Sequence, residues 1–164
     1  LGQQIVAGQF TNTFDVVGIA TSTRKILGEF GVDTFTRIAE IVDIVENNGP
    51  IAILDISVTA HMPDVLEMPY RPTIKDAQHA GELAYTYRLG GNSCLAGDVL
   101  PEYSFAEPLA VGQRIVFEDM MHYTMVKTSF FNGVQHPAIG ILRQEGEFEL
   151  VREFTYEDFL ARLS

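Results

Sequence analysis

Short runs rich in β-branched and aromatic residues recur through the second half of this chain, most of them bounded by turn signals. "LAYTYRL", "RIVFEDM", "YTMVKT", "PAIGILR" and "FELVREF" all fall between residues 83 and 154. Segments of this length and composition, spaced by Gly, Pro and Asn, predict strands of an antiparallel β-barrel or sandwich. "LAVGQRIVF" places a Gly turn before a strand, and Asn132-Gly133 in "FNGVQHP" is the strongest hairpin signal in the chain. Upstream, "ENNGP" at residues 46–50 is a turn signal leading into "IAILDISVTA". That run is too continuous for a half-exposed hairpin arm.

Other stretches are ambiguous or irregular. "FTRIAEIVDIV" fits an amphipathic helix, yet its alternate positions Ile38, Glu40, Val42 and Ile44 also permit a strand. "IVAGQF" and "DVVGIA" read as strands, and "TSTRKILGEF" as a short helix. Three prolines in "HMPDVLEMPYRP" forbid a long helix but leave room for one turn, "DVLEM", after Pro63. Residues 72–84 read as a polar surface loop. In "TYEDFLARLS", Thr155 as N-cap and Asp158 three positions on predict a terminal helix packing Phe159, Leu160 and Leu163. The expected fold is mainly β with a short terminal helix.

Composition narrows the function. A chain of 164 residues with 46% hydrophobic content has enough apolar material for one cored domain. No run of 18 apolar residues is present, so no membrane span is expected, and "LGQQIVAGQF" lacks the marks of a signal peptide. One cysteine excludes an internal disulfide and fits the reducing cytoplasm. A net charge of −11 disfavours nucleic acid and suits a cationic small molecule.

Chemistry-bearing residues gather in three places. The histidines, His61, His79, His122 and His136, form no metal-ligand pair and have no second cysteine beside Cys94, so no metal is expected. "YRLGGNSCLAGDVL" lacks the spacing of a phosphate-binding loop, but its glycines demand tight turns or close approach. Cys94 within it is either a small buried thiol or a proton-handling group with Asp98 holding a cationic substrate. His61, Asp64, Glu67 and Arg71 share the Pro-punctuated segment, which is either a site at a strand end or a solvated loop. In "FEDMMHYTMVKTSFFNG", most apolar residues read as packing, whereas Tyr123 brings a hydroxyl.

Together, "ILDISVTAHMPDVLEMPYRP", "YRLGGNSCLAGDVL" and "FEDMMHYTMVKTSFFNGVQHPA" resemble the C-terminal part of carboxynorspermidine (carboxyspermidine) decarboxylases. These enzymes belong to the pyridoxal-phosphate decarboxylases of the alanine-racemase-type fold. The resemblance runs from Ile41 to Ser164. It implies a decarboxylase-like C-terminal β domain over residues 35–164, preceded by a poorly matched segment or barrel remnant over residues 1–34. The family's N-terminal (β/α)8 barrel is expected to be absent from this chain, and Gly28 and Glu29 of "ILGEF" stand near where its Glu-Pro-Gly-Glu segment is expected.

The implied function is pyridoxal 5'-phosphate-dependent decarboxylation of carboxynorspermidine or carboxyspermidine to norspermidine or spermidine. This chain would supply one half of the site and be inactive alone. Neither Lys25, Lys75 nor Lys127 stands in a cofactor-lysine context, so the anchor is expected outside the chain. The resemblance makes Cys94 catalytic, Asp64 and Asp98 substrate-binding and Tyr123 cofactor-binding, in a homodimer whose sites form between subunits. Carboxylates suit such a substrate because they hold its amines by charge-assisted hydrogen bonds. The competing reading is an isolated, non-catalytic β-domain binding or interaction module.

Overall fold

Phe35–Glu46 is one long strand, β2, and the rest of the sheet is arranged around it. The computed structural model describes residues 14–17, 35–120, 123–142 and 148–163. His122, Lys25, Gly28, Glu29 and the segments "IVAGQF" and "TSTRKILGEF" lie outside the described residues.

The first part of β2 pairs with β1 (Phe14–Val17) on one edge and with β7 (Arg114–Phe117) on the other. Its second part pairs with β3 (Pro50–Leu54) across the Asn47–Gly49 turn. Asn48 and Gly49 both have positive φ there, the conformation that "NNG" favours. Thr36 to Ala39 are all buried, so both faces of that part of β2 are covered and strand alternation disappears. This is why the segment also fits a helical pattern.

The sheet runs β4 (Ala77–His79), β6 (Val99–Phe105), β5 (Tyr85–Gly90), β3, β2, β1, β8 (Ala138–Leu142) and β9 (Phe148–Arg152). Antiparallel pairing dominates, as expected, but β1–β8 and β3–β5 are parallel. Ile41, Leu54, Ile56, Leu89 and Phe117 form the centre of the core, each essentially inaccessible to solvent. Burying one such side chain stabilises the fold by about 1.5–3 kcal/mol.

Several local expectations are corrected. "IAILDISVTA" is not a single strand: β3 ends at Leu54 and α1 covers Val58–His61. Asp55 ends the ladder by accepting the Glu40 amide on its side chain, and Ser57 then caps the helix. "YTMVKT" contains a helical turn, α3 (Tyr123–Val126), in place of a strand. Asn132-Gly133 takes positive φ at both residues, as its hairpin signature requires, but forms a 3-10 turn without flanking strands. The local sequence encoded the backbone bend, whereas strands also need partners.

The expected loop over residues 72–84 contains β4, and β6 is a strand that the sequence pattern does not announce because Pro101 interrupts it. The single turn after Pro63 is present as α2 (Pro63–Glu67). The terminal helix, α4 (Tyr156–Leu163), begins with the Thr155 amide donating to Asp158 at 2.7 Å. Phe159 packs edge-on against Phe130, while Leu160 and Leu163 are exposed, contrary to the expected three-residue contact. Among the described residues no helix is long and apolar enough to cross a membrane.

Candidate active site

The two short helices α1 and α2 sit between the Cys94 loop and the α3 segment, joining all three sequence motifs. Ser57 caps α1 by accepting the Ala60 amide at 3.0 Å. Its hydroxyl also donates to Asp98 Oδ1 at 3.2 Å, and the Thr59 amide donates to the same oxygen at 3.0 Å. The other oxygen, Oδ2, accepts the Ser93 amide at 2.9 Å. Asp98 is only 3% exposed and therefore clamps the loop onto the start of α1. Backbone bonds from Gly91 to Asp98 and from Asn92 to Ile56 complete that attachment.

Cys94 projects from this anchored loop and is exposed. Among the described residues the thiol is therefore not packed in the core. Its Sγ accepts a hydrogen bond from Asn132 Nδ2 at 3.1 Å, a partner that sequence reasoning missed. The Asn-Gly signature marked the turn, but nothing local announces that its amide meets a thiol 38 residues away.

Asp64 lies in α2 and is buried. Its Oδ2 accepts from both Tyr70 Oη and Thr124 Oγ1 at 2.8 Å. Oδ1 is buried with no hydrogen-bond partner among the described residues. Burial chiefly raises the Tyr70 hydroxyl to about 12, so that residue remains a donor at neutral pH. Tyr123 immediately precedes Thr124 in α3 and is 60% exposed. Lys127 stands over its ring at 5.9 Å and is ion-paired with Glu67.

A buried polar assembly fixes the other end of α1. Arg37 donates to the His61 carbonyl and to Thr128 Oγ1, while the Ser129 amide donates to the Ala60 carbonyl at 2.8 Å. His61 Nδ1 accepts the Ser57 amide at 3.2 Å, which requires an unprotonated nitrogen. Burial, then the charges of Arg37 and His136, lower the His61 pKa to about 3, with the Gln135 backbone opposing. His61 is therefore a neutral structural group at pH 7. Arg71 stacks over Tyr103 at 3.8 Å and donates to the Glu102 carbonyl, away from Asp64's hydrogen bonds.

All four expected site residues thus attach to one connected region. Asp98 ties the Cys94 loop to α1, Asp64 ties α2 to α3 through Thr124, Tyr123 adjoins that Thr124, and Cys94 meets the turn that follows. Of Asp64 and Asp98, only Asp64 has a carboxylate oxygen without a partner among the described residues; both oxygens of Asp98 are occupied by protein donors.

Residues 15–121 match the family model of the pyridoxal-dependent decarboxylase C-terminal sheet domain. The chain belongs to this family. It is 64% identical over 112 residues to the carboxyaminopropylagmatine decarboxylase of Synechocystis sp., covering 68% of this chain and 29% of that protein. It is 42% identical over 143 residues to a carboxynorspermidine/carboxyspermidine decarboxylase of Campylobacter jejuni, covering 80% of this chain and 37% of that protein. The crystal structure of carboxynorspermidine decarboxylase complexed with norspermidine from Campylobacter jejuni superposes with a TM-score of 0.76 at 37% identity. That match covers 85% of this chain and 44% of the solved chain. The domain therefore spans less than half the length of these relatives, and the remainder of each is unrepresented in the match.

Proposed function

We propose that this sheet domain supplies one half of the active site of a pyridoxal-phosphate-dependent decarboxylase acting on carboxylated polyamines. The observation that carries the reading is the exposed Cys94 thiol on a loop held down by buried Asp98. An anchored, accessible thiol suits delivery of a proton to a defined carbon position. The names of the relatives support the substrate class: carboxynorspermidine and carboxyspermidine for the 42% identical relative. Carboxyaminopropylagmatine, named by the 64% identical relative, is the second reading and the better supported by identity.

In this reading, Asp64 Oδ1 accepts a substrate cation after the surrounding polar groups open, while Tyr70 and Thr124 hold the other oxygen. Burial makes such a charge-assisted contact strong and leaves Asp64 dependent on it. Asp98, expected as a second substrate ligand, acts instead by shaping the loop, because four donor contacts already surround its carboxylate. Tyr123 is the candidate contact to the cofactor phosphate, and its exposed hydroxyl fits that task.

Pyridoxal phosphate, when bound, supplies the conjugated ring that takes up the electron pair as carbon dioxide leaves. The described lysines are both surface ion-paired, Lys75 with Asp76 and Lys127 with Glu67. That arrangement fits a cofactor lysine supplied by another part of the protein. In this reading the exposed Cys94 and Tyr123 face a neighbouring subunit that completes the site in a homodimer, and the single free thiol fits a reducing cytoplasm.

The test uses the complete protein with pyridoxal phosphate and each of the three carboxylated substrates, measuring carbon dioxide and amine product. Stoichiometric release from at least one, lost in Cys94→Ala, supports the reading; no release from any of them defeats it. Subunit exchange between a Cys94→Ala protein and a cofactor-lysine mutant should restore part of the activity if the site is shared.

A further inference from the structure

We infer that Asn132 is the positioning residue for the Cys94 thiol. The inference rests on the proposed part of Cys94 in the reaction, but its physical basis is the 3.1 Å contact from Asn132 Nδ2 to Sγ. With an N–H donor at the sulfur, one lone pair is engaged and the S–H proton is turned away from the amide. The thiol therefore presents its proton in a restricted direction, in place of rotating freely on an exposed loop.

Both sides of the contact are independently anchored to α1. On the cysteine side, Asp98 binds Ser57 and Thr59 while accepting the Ser93 amide, one residue before the thiol. On the asparagine side, the Ser129 amide binds the Ala60 carbonyl. Phe130 then stacks on His136 at a centroid distance of 3.8 Å and meets Phe159 edge-on at 5.9 Å. The Gly133 amide closes the turn by donating to the Phe130 carbonyl at 2.8 Å. The neighbouring attachment points Thr59 and Ala60 thus link the two loops to one short helix.

The backbone at Asn132 is also specialised. Its φ of 56° lies in the left-handed region, where Gly, Asn and Asp are the best tolerated residues. This permits a clean experiment. Asn132→Gly removes the amide while keeping the favoured backbone conformation, and Asn132→Asp keeps the side-chain shape but replaces the N–H donor with carboxylate.

The complete protein should be compared as wild type, Asn132→Gly, Asn132→Asp, Cys94→Ala and the Asn132→Gly/Cys94→Ala double variant. Iodoacetamide labelling of the Cys94 peptide, followed by mass spectrometry, reads the thiol without requiring turnover. Asn132→Gly should slow labelling about three-fold and lower kcat by a similar factor, the scale of one ordinary hydrogen bond. KM should remain within about two-fold because the amide acts through the thiol and not through substrate binding. Asn132→Asp should slow labelling further, and Asn132→Gly should cause no additional kcat loss in the Cys94→Ala background.

Unchanged labelling in both folded Asn132 variants, or an equal kcat loss in both cysteine backgrounds, overturns the assignment. If Cys94→Ala retains full kcat, the proposed reaction role of the thiol fails and this inference fails with it. If Cys94→Ala is impaired but Asn132→Gly changes neither labelling nor kcat, only the Asn132 assignment fails.

Discussion

The Asp98 carboxylate lies so close to Gly91 that a Cβ added there would stand 2.4 Å from Oδ2 and 2.5 Å from Cγ. Because this carboxylate also holds Ser57, Thr59 and Ser93, it has little freedom to retreat. Gly91→Ala should therefore destabilise the complete protein by about 1–3 kcal/mol, the usual scale of overpacking. Urea unfolding checks this, and an unchanged midpoint and slope would refute the close approach.

Asp64→Asn separates binding from folding. Its remaining carbonyl oxygen can still accept from Tyr70 and Thr124, while the amide takes the place of unpartnered Oδ1. Thermal stability should change little. Loss of a substrate charge partner should cost about 2–5 kcal/mol in transition-state binding, or roughly 30-fold or more in kcat/KM. A large melting-temperature loss with normal kcat/KM would make Asp64 structural only.

The His61 shift gives a signed pH prediction. Its folded pKa, about 3, lies below the ordinary value of 6.5, so the unfolded state binds more protons between these values. The stabilising contribution is fully present above pH 6.5 and is lost as pH falls toward 3. At pH 5 the loss is about 2 kcal/mol. His61→Gln should reduce the stability difference between pH 7 and pH 5 by about that amount. Equal pH dependence in the two proteins would contradict a neutral buried His61.

Tyr123→Phe should leave the melting temperature nearly unchanged because the side chain is largely exposed. If its hydroxyl contacts the cofactor phosphate, pyridoxal phosphate should bind about tenfold more weakly, as expected for loss of a hydrogen bond to a charged group. Titration of the complete protein by fluorescence tests this; equal affinity would remove Tyr123 from the cofactor contacts.

The β-rich second half, the turns at residues 46–50 and 132–133, and the capped terminal helix were legible locally. Each depends on turn chemistry, capping or side-chain preference over a few residues. The three motif segments, in their order along the chain, also made the decarboxylase resemblance visible. By contrast, β2 looked ambiguous because covering both strand faces erased alternation, and "YTMVKT" became helical in a setting fixed by Asp64 and Thr128.

The site divides along the same physical line. The sequence by itself determined which acids, thiol and hydroxyl the chain carries, and which backbone bends its Asn-Gly and Asn-Asn-Gly steps favour. Only the tertiary structure decided that Asp98 is enclosed by donors, that Asp64 keeps one oxygen without a partner among the described residues, and that Asn132 reaches Cys94. Those outcomes depend on atoms brought together across long chain separations, where burial and geometry fix which polar groups are satisfied and which remain available.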